Sequence, residues 1–153
     1  MNPPLDYLAA LQFYAGYARL LDDERFDDWV ALFAEDGSYD VLPRENVDAG
    51  LPLPLIRCRT KDHLRDRILS LQEANIYNIH TDRHLVTNVV LTGADSAEAD
   101  FAVFQTDQEG ESRLFGVGRY RTVLVREDGV LRIRAQTAIL DTAAVPTLLA
   151  TPL

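Results

Sequence analysis

The order of apolar and polar positions divides the chain into a helical first part and a strand-rich second part. Good helix formers and apolar residues at helical spacing predict two helices within residues 4–34. The second of these helices carries an apolar stripe at i, i+3, i+4 and i+7, formed by Phe26, Trp29, Val30 and Phe33. Gly37 is its expected end. A similar stripe of leucine and isoleucine predicts a third helix over residues 60–74.

Alternation with a period of two predicts the strands. It indicates a short strand over residues 38–42 and, after the third helix, a run of antiparallel strands over residues 83–141 that are joined by tight turns. On the last of these strands, the apolar face is predicted to consist of Leu131, Ile133, Ala135 and Ile139. Gly116 and Gly118 lie inside an unusually long strand, where they indicate a bulge or bend.

These elements predict one α+β domain spanning residues 1–153, in which helices cover one face of a curved antiparallel sheet. Residues 44–54 contain Gly50, Pro52 and Pro54, so they predict an irregular loop, with a short edge strand as an option near residues 55–59.

Charge and cysteine content exclude several classes of function. The chain has 15 Lys+Arg and 24 Asp+Glu, a net charge of −9 that disfavours nucleic acid or an anionic membrane as the main partner. The single Cys58 excludes an internal disulfide, a cysteine-rich zinc site and a cysteine-ligated iron–sulfur cluster. Arg57 and Arg59 flank this cysteine and favour its thiolate, but no nucleophile elbow or phosphate-binding loop accompanies it. With no signal-peptide pattern and no long apolar run, we expect a soluble cytoplasmic protein.

One candidate site is a metal centre within the segment NIHTDRH. His80, Asp82 and His84 form the ligand set of a mononuclear non-haem iron site, two histidines and one carboxylate. On a strand, however, His80 and His84 would lie roughly 13 Å apart, at ~3.3 Å per residue, which is too far for one ion. Unless a turn brings them together, we expect ordinary hydrogen-bonded histidines.

A second candidate is an acid–base cavity inside the curved sheet. Tyr14 and Tyr17 on the first helix, together with Asp40 and His84 on strands, would supply phenol donors and a general base for proton transfer next to a carbonyl. The alternative is that the tyrosines are core residues with hydrogen-bonded hydroxyls and that Asp40 faces solvent, opposite Tyr39.

The segment over residues 145–153 is apolar and carries no charged side chain. Chain ends of soluble proteins are usually polar and frayed, so something is expected to cover this tail. Burial within the monomer and an inter-subunit contact are both open at this point.

Five segments, taken in order, carry a family resemblance: LDDERFDDWVALFAEDGSYDV, PRENVDAGLPLPLI, DHLRDRILSLQEANIY, HTDRHLVTNV and TLLATPL. Their order and spacing resemble the small β subunit of Rieske-type aromatic-ring-hydroxylating dioxygenases. The loop, the ANIY segment and the tail are most similar to the branch that acts on aromatic carboxylates, in which terephthalate dioxygenase stands nearest and the anthranilate and salicylate enzymes are neighbours.

The resemblance implies a cone of the nuclear-transport-factor-2-like type. It also implies a large α subunit that holds the Rieske [2Fe-2S] cluster, the mononuclear Fe(II) and the substrate pocket, receives electrons from NAD(P)H through a reductase, and joins the β subunits in an α3β3 hexamer. This chain would then be a structural subunit of an oxidoreductase, with no catalytic, cofactor-binding or metal-binding residue of its own.

Two rival hypotheses remain. One is a free-standing isomerase or dehydratase of the same fold that uses Asp40 with Tyr14, Tyr17 or His84. The other is a ligand-binding or scaffolding protein without an α partner.

Overall fold

The computed structural model describes residues 2–51, 53–74, 79–142 and 151–153. Its helices are α1 (Tyr7–Asp22), α2 (Phe26–Ala31), α3 (Arg44–Asp48) and α4 (Lys61–Ala74). Its strands are β1 (Phe33–Pro43), β2 (Ile56–Cys58), β3 (Thr81–Leu91), β4 (Ser96–Thr106), β5 (Ser112–Glu127) and β6 (Val130–Leu140). None of the helices in these ranges is long and apolar enough to cross a membrane.

The six strands form one sheet in the order β2-β1-β6-β5-β4-β3. All neighbouring strands are antiparallel except β1 and β6, which run parallel. The α+β architecture is therefore confirmed, but the sheet is mixed rather than purely antiparallel. The parallel pair arises because β1, which follows the first two helices, lies beside β6, the last strand of the described residues.

The second predicted helix is shorter than its sequence pattern suggests. It ends at Ala31 instead of continuing to Gly37, and β1 begins at Phe33 rather than near residue 38. Pairing with β6 explains the difference, because Ile133 donates its backbone N–H to the Leu32 carbonyl at 2.7 Å. A local helical periodicity is overridden here by a long-range strand contact.

The predicted loop after β1 contains regular structure. Residues Arg44–Asp48 form the short helix α3, and the optional edge strand is present as β2, which pairs antiparallel with β1. Helix α1 begins after Asp6, whose side chain caps it by accepting a hydrogen bond from the Ala9 N–H at 2.8 Å.

A bulge in β6 changes which of its side chains face the helices. The register of β6 shifts against β5 between Ile133 and Ala135. Ile133 is buried as expected, but Ala135 is only partly buried, and Gln136 and Ala138 take the inward positions that follow. The predicted apolar face is therefore wrong at Ala135, because one extra residue in a strand reverses the alternation. Ile139 is buried, although it alternates with the inward residues Ala138 and Leu140.

Helices α1, α2 and α4 and the inner face of the sheet enclose a core rich in aromatic rings. Trp29 packs edge-on against Phe33 and Tyr39, with centroids 5.0 and 5.4 Å away, and Phe101 stacks on Tyr120 at 4.3 Å. Such contacts fix the orientation of each ring in addition to burying it. The tyrosine hydroxyls in this core are thereby held in defined positions.

Candidate functional site

The candidate site is the inside of the cone, where polar groups from five elements point into the aromatic core. We call this set the cone interior. Its members are buried side chains on α1, α2, β1, β5 and β6, namely Tyr14, Tyr17, Trp29, Tyr39, Tyr120, Thr122 and Gln136. Burial of seven polar side chains in one core is unusual, because each must be compensated by a hydrogen bond.

One part of the cone interior is a chain of hydrogen bonds that links α1 to the sheet. Thr122 donates its hydroxyl hydrogen to Gln136 Oε1 at 2.6 Å, and the Tyr14 hydroxyl lies 2.7 Å from Thr122 Oγ1. Because Thr122 has a single hydrogen, Tyr14 is the donor in this second contact, and it also lies 3.2 Å from the Ala97 carbonyl. In this row of hydrogen bonds the side-chain oxygen of Gln136 is the final acceptor, and its amide nitrogen takes no part.

The other part of the cone interior holds the end of the apolar tail. Tyr17 donates its hydroxyl hydrogen to the main-chain oxygen of Leu153 at 2.6 Å. Leu153 in turn donates its N–H to the Tyr39 hydroxyl at 2.8 Å, and that hydroxyl lies 3.3 Å from the Leu153 oxygen as a donor. Leu153 is 1% exposed, and Thr151 and Pro152 are buried as well. For residues 151–153 the cover is thus the monomer's own core, whereas residues 145–150 of the tail lie outside the described residues.

Three buried polar atoms of the cone interior have no hydrogen-bond partner of good geometry in the described part of the chain. They are Trp29 Nε1, Tyr120 Oη and Gln136 Nε2. The indole nitrogen and the amide nitrogen are donors only. The Trp29 and Gln136 side chains nevertheless interact with the Tyr17 hydroxyl, and these interactions offset part of the effect of burial on the pKa of Tyr17.

Burial disfavours negatively charged groups in the cone interior. It raises the pKa of Tyr14 to about 12, with hydrogen bonding to Thr122 offsetting only part of the effect. Burial likewise raises the pKa of Tyr17, Tyr39 and Tyr120 well above the ordinary value for a phenol. At neutral pH all four tyrosines are uncharged hydrogen-bond donors.

Asp40 does not belong to the cone interior. It alternates along β1 with the buried Tyr39 and Val41, so its side chain lies on the opposite face of the sheet. There its carboxylate forms an ion pair with Arg57 at 3.3 Å. Asp40 is therefore not available to the tyrosines as the general base that the acid–base hypothesis requires.

His84 is held by the end of α1. Its Nδ1 lies 2.6 Å from Asp22 Oδ1, and its backbone N–H donates to both oxygens of the same carboxylate at 3.1 and 3.0 Å. Tyr14 and His84 line the same groove between α1 and β3, while the Tyr17 hydroxyl contacts Leu153 inside the cone. The four residues of the proposed acid–base set are therefore not brought together.

The three proposed metal ligands, His80, Asp82 and His84, do not converge on one point either. His80 Nε2 lies 3.4 Å from Asp82 Oδ1, whereas His84 is paired with Asp22. Burial raises the pKa of Asp82, and the neighbouring histidines offset part of that effect. Across residues 2–51, 53–74, 79–142 and 151–153, no three His, Cys, Asp or Glu side chains are arranged to hold a metal ion.

Cys58 is buried in β2, and its thiol is not activated. Burial raises its pKa, and the charge of Arg67 opposes that shift only in part. The flanking arginines named from the sequence do not produce the lowered pKa of a reactive cysteine, since Arg57 pairs with Asp40 instead.

Sequence reasoning found Tyr14 and Tyr17 but missed most of the cone interior. Thr122 faces inward two positions after Tyr120, so a polar residue at an apolar position of an alternating strand was an available signal. Gln136 gave no such signal because the β6 bulge reverses its predicted face. Leu153 contacts β1 across 114 residues, a pairing that no local pattern encodes.

Comparison with known proteins identifies the fold and the family. Residues 4–137 match the SnoaL-like domain family. The chain is 40% identical over 141 residues to the small subunit of anthranilate 1,2-dioxygenase from Burkholderia cepacia, covering 90% of this chain and 88% of that subunit. The chain belongs to the small (β) subunits of aromatic-ring-hydroxylating dioxygenases. This confirms the family resemblance and the nuclear-transport-factor-2-like fold, and it favours the subunit interpretation over a free-standing isomerase or dehydratase.

Two further relatives of this β subunit support the assignment. A β 2 subunit of the terephthalate 1,2-dioxygenase terminal oxygenase from a Comamonas species is 33% identical over 145 residues, covering 92% of this chain and 94% of that subunit. A crystal structure of a Novosphingobium aromaticivorans protein, described as the β subunit of an aromatic-ring-hydroxylating dioxygenase, has a TM-score of 0.85 at 42% identity and covers 95% of each chain.

Proposed function

We propose that this β subunit is a structural partner of a large oxygenase subunit and contributes no catalytic residue to the reaction. The observation that carries the proposal is the occupied cone interior. The hydroxyls of Tyr17 and Tyr39 are engaged by Leu153 of the same chain, and Asp40 lies on the opposite face of the sheet. A substrate would therefore find neither room nor a base inside the cone.

The cofactors of the reaction are assigned to the large subunit. A Rieske centre requires two cysteines and two histidines. This chain has one cysteine, which is buried in β2, and His84 is already engaged by Asp22. The residues present do not fit the cluster, so we place the [2Fe-2S] centre and the mononuclear Fe(II) on the large subunit, which is fed with electrons from NAD(P)H in the cytoplasm.

The proposed substrate class is an aromatic carboxylate. Anthranilate and terephthalate, in the names of the two relatives, are both aromatic carboxylates, and the chain is more similar to the anthranilate enzyme's subunit than to the terephthalate one. The reaction would add both atoms of O2 to the ring, taking up two electrons and two protons to give a cis-dihydrodiol. The β subunit supports this chemistry by assembly.

An exposed apolar groove supports the partner role. It lies between α1 and β3, has a volume of about 570 Å³, and is lined in part by Leu11, Leu85, Val86 and Val89. Leu85 is 52% exposed and Leu11 is 38% exposed. Exposed leucines that meet in one groove are typical of a surface that another subunit covers. We propose that this groove contributes to the subunit contacts of an α3β3 hexamer.

The test is co-expression of the chain with the large-subunit gene that neighbours its own. We expect a complex of hexamer mass whose iron stays with the large subunit after the subunits are separated. Stoichiometric iron on the separated β subunit would contradict the proposal.

The variant Asp40→Asn tests the rival hypothesis, because the assembled complex should keep its kcat and KM if Asp40 has no role in catalysis.

A further inference from the structure

Two exposed apolar surfaces lie at opposite edges of the sheet. One is the groove at the β3 edge, and the other is a loop that leads into β2 at the opposite edge. We call it the leucine loop, because it exposes Leu51, Leu53 and Leu55 by 48%, 60% and 45%. We propose, as an extension of the assembly role proposed above, that the leucine loop of one β subunit docks into the groove of the next copy, so that three copies close a ring.

The leucine loop is held in a fixed shape although its side chains are exposed. Leu51 donates its N–H to the Asn46 carbonyl at 2.8 Å, and Asn46 Nδ2 donates to the Leu53 carbonyl at 2.9 Å. Leu55 donates its N–H to the Val41 carbonyl at 2.7 Å, which ties the loop to β1. Docking of a loop that is already ordered costs less conformational entropy.

The groove offers apolar walls that can receive these leucines. On the α1 wall, Leu11 and Ala15 are exposed one helical turn apart. On the β3 wall, Leu85 is 52% exposed beside the partly buried Val86. Side chains from two elements thus line one concave surface of about 570 Å³. Leucines that enter it remove apolar area from water on both partners.

Charge favours the pairing of these two surfaces. Arg19 and Arg83 line the groove from α1 and β3, and both are exposed. Beside the leucine loop, α3 exposes Glu45 and Asp48 one helical turn apart. None of these four side chains forms an ion pair with another described residue. Because the acidic complement of the groove is found on this same chain, a second copy is the occupant that the charges favour.

The positions of the two surfaces determine the kind of assembly. A contact between different patches of identical chains is heterologous, and repeated contacts of this kind close into a ring when the rotation between copies allows it. Since the leucine loop and the groove lie at opposite edges of one six-stranded sheet, each copy can bind one neighbour on each side. A ring of three is the arrangement of β subunits that the proposed α3β3 hexamer requires.

Cross-linking in the complex tests the contact directly. The chain with both Leu53→Cys and Leu85→Cys is co-expressed with the large subunit and treated with a short bismaleimide. We expect covalent β dimers and trimers on denaturing gels, whereas either substitution alone should give none. The native Cys58 is buried and is present in every sample, so the single variants control for it. Co-expression of the two single variants should give dimers but no trimers, because only one loop–groove pair can then be linked.

Charge reversal in the same double-cysteine chain tests the electrostatic part. A groove variant carries Arg19→Glu and Arg83→Glu, and a loop variant carries Glu45→Arg and Asp48→Arg. Each should lower the yield of cross-linked β subunits about tenfold, because like charges then face each other. All four changes in one chain bring opposite charges together again and should restore the yield to within about twofold.

The matched control reverses two exposed charges outside both surfaces, with Glu111→Arg and Glu127→Arg, and should leave the yield unchanged. A complex that forms without covalent β oligomers would overturn the loop–groove contact and leave the proposed function intact. Dimers from Leu53→Cys alone would also overturn it, since they would indicate an isologous contact. If the unmodified chain forms no complex with the large subunit, the proposed function fails and the loop–groove ring fails with it.

Discussion

At the scale of single residues, the tyrosine hydroxyls of the cone interior hold the tail to the rest of the fold. Tyr17 lies on α1 and Tyr39 on β1, and both bind the main chain of Leu153. These contacts join the first helix, the first strand and the last described residues of the chain. Their loss is expected to affect the stability of the monomer directly.

Replacing Tyr17 by Phe tests this contact. We expect Tyr17→Phe to lower the free energy of unfolding by about 1–2 kcal/mol, because it removes a buried hydroxyl that is 2.6 Å from the Leu153 oxygen. Tyr7→Phe is the matched control, since Tyr7 is 52% exposed and its change should be close to neutral. Urea unfolding of both variants measures the difference, and equal midpoints would show that the Leu153 contact does not stabilise the fold.

Tyr120 is expected to behave in the opposite way. Its hydroxyl is buried and has no hydrogen-bond partner in the described part of the chain. Because an unsatisfied hydroxyl contributes no favourable contact, Tyr120→Phe should leave the unfolding free energy at pH 7 unchanged or slightly raise it. A loss comparable to that of Tyr17→Phe would mean that the hydroxyl has a structural role.

Stability should also fall steeply at alkaline pH. Burial raises the pKa of Tyr14 to about 12, from 10.0, and also raises those of Tyr17 and Tyr120 well above 10.0. Above pH 10 the unfolded chain releases these protons while the folded chain retains them, so the tyrosine contribution is complete below pH 10 and is lost as the pH rises. Each buried tyrosine adds about 1.4 kcal/mol per pH unit to the slope. Urea midpoints between pH 9 and 11 measure it, and Tyr120→Phe should reduce the slope by one proton.

At the scale of elements, the curved sheet depends on close contact between β5 and β6. A Cβ atom at Gly118 would overlap the Ile139 carbonyl oxygen and would lie 2.9 Å from Phe101 Cζ. Gly118 therefore lets the two strands and the Phe101 ring approach each other. No other residue type fits this position without moving the backbone of β6.

A pair of glycine substitutions tests this role. Gly118→Ala should lower the unfolding free energy by about 1–3 kcal/mol, because the added methyl group overpacks the sheet. Gly16→Ala is the control: Gly16 lies on α1 with nothing within 4 Å of an added Cβ, so alanine should stabilise the helix by about 0.5–1 kcal/mol. Thermal unfolding of both variants shows opposite signs if the close approach at Gly118 matters, and the same sign if it does not.

How far the sequence predicts these elements depends on the range of the interaction that forms them. Helix α4 follows from its own periodicity, and the structure places it at Lys61–Ala74 against the predicted range 60–74. The start of β1 could not be predicted, because the spacing of Trp29 and Phe33 also fits a helix and only pairing with β6 decides between the two. The inward position of Gln136 is set by a bulge in β6, which no local pattern of that strand reveals.

At the scale of the whole molecule, the end of the tail is buried inside the cone. The sequence left open whether the apolar tail is covered within the monomer or by another subunit, and residues 151–153 are buried in the monomer. Removing them is therefore expected to destabilise the isolated chain before it affects assembly. The surface left for partners is the groove between α1 and β3, where Leu11 and Leu85 are exposed.

Charged substitutions in this groove separate assembly from folding. Leu11→Glu and Leu85→Lys should each reduce the amount of hexamer formed with the large subunit several-fold, because burying an unpaired charge in an apolar contact is costly. The Tm of the isolated chain should change little, since both side chains are exposed in the monomer. Leu69→Glu on α4 is the control, because Leu69 is 61% exposed but does not line the groove. Size-exclusion chromatography with light scattering measures the complex, and intact hexamers with both groove variants would show that the subunits meet elsewhere.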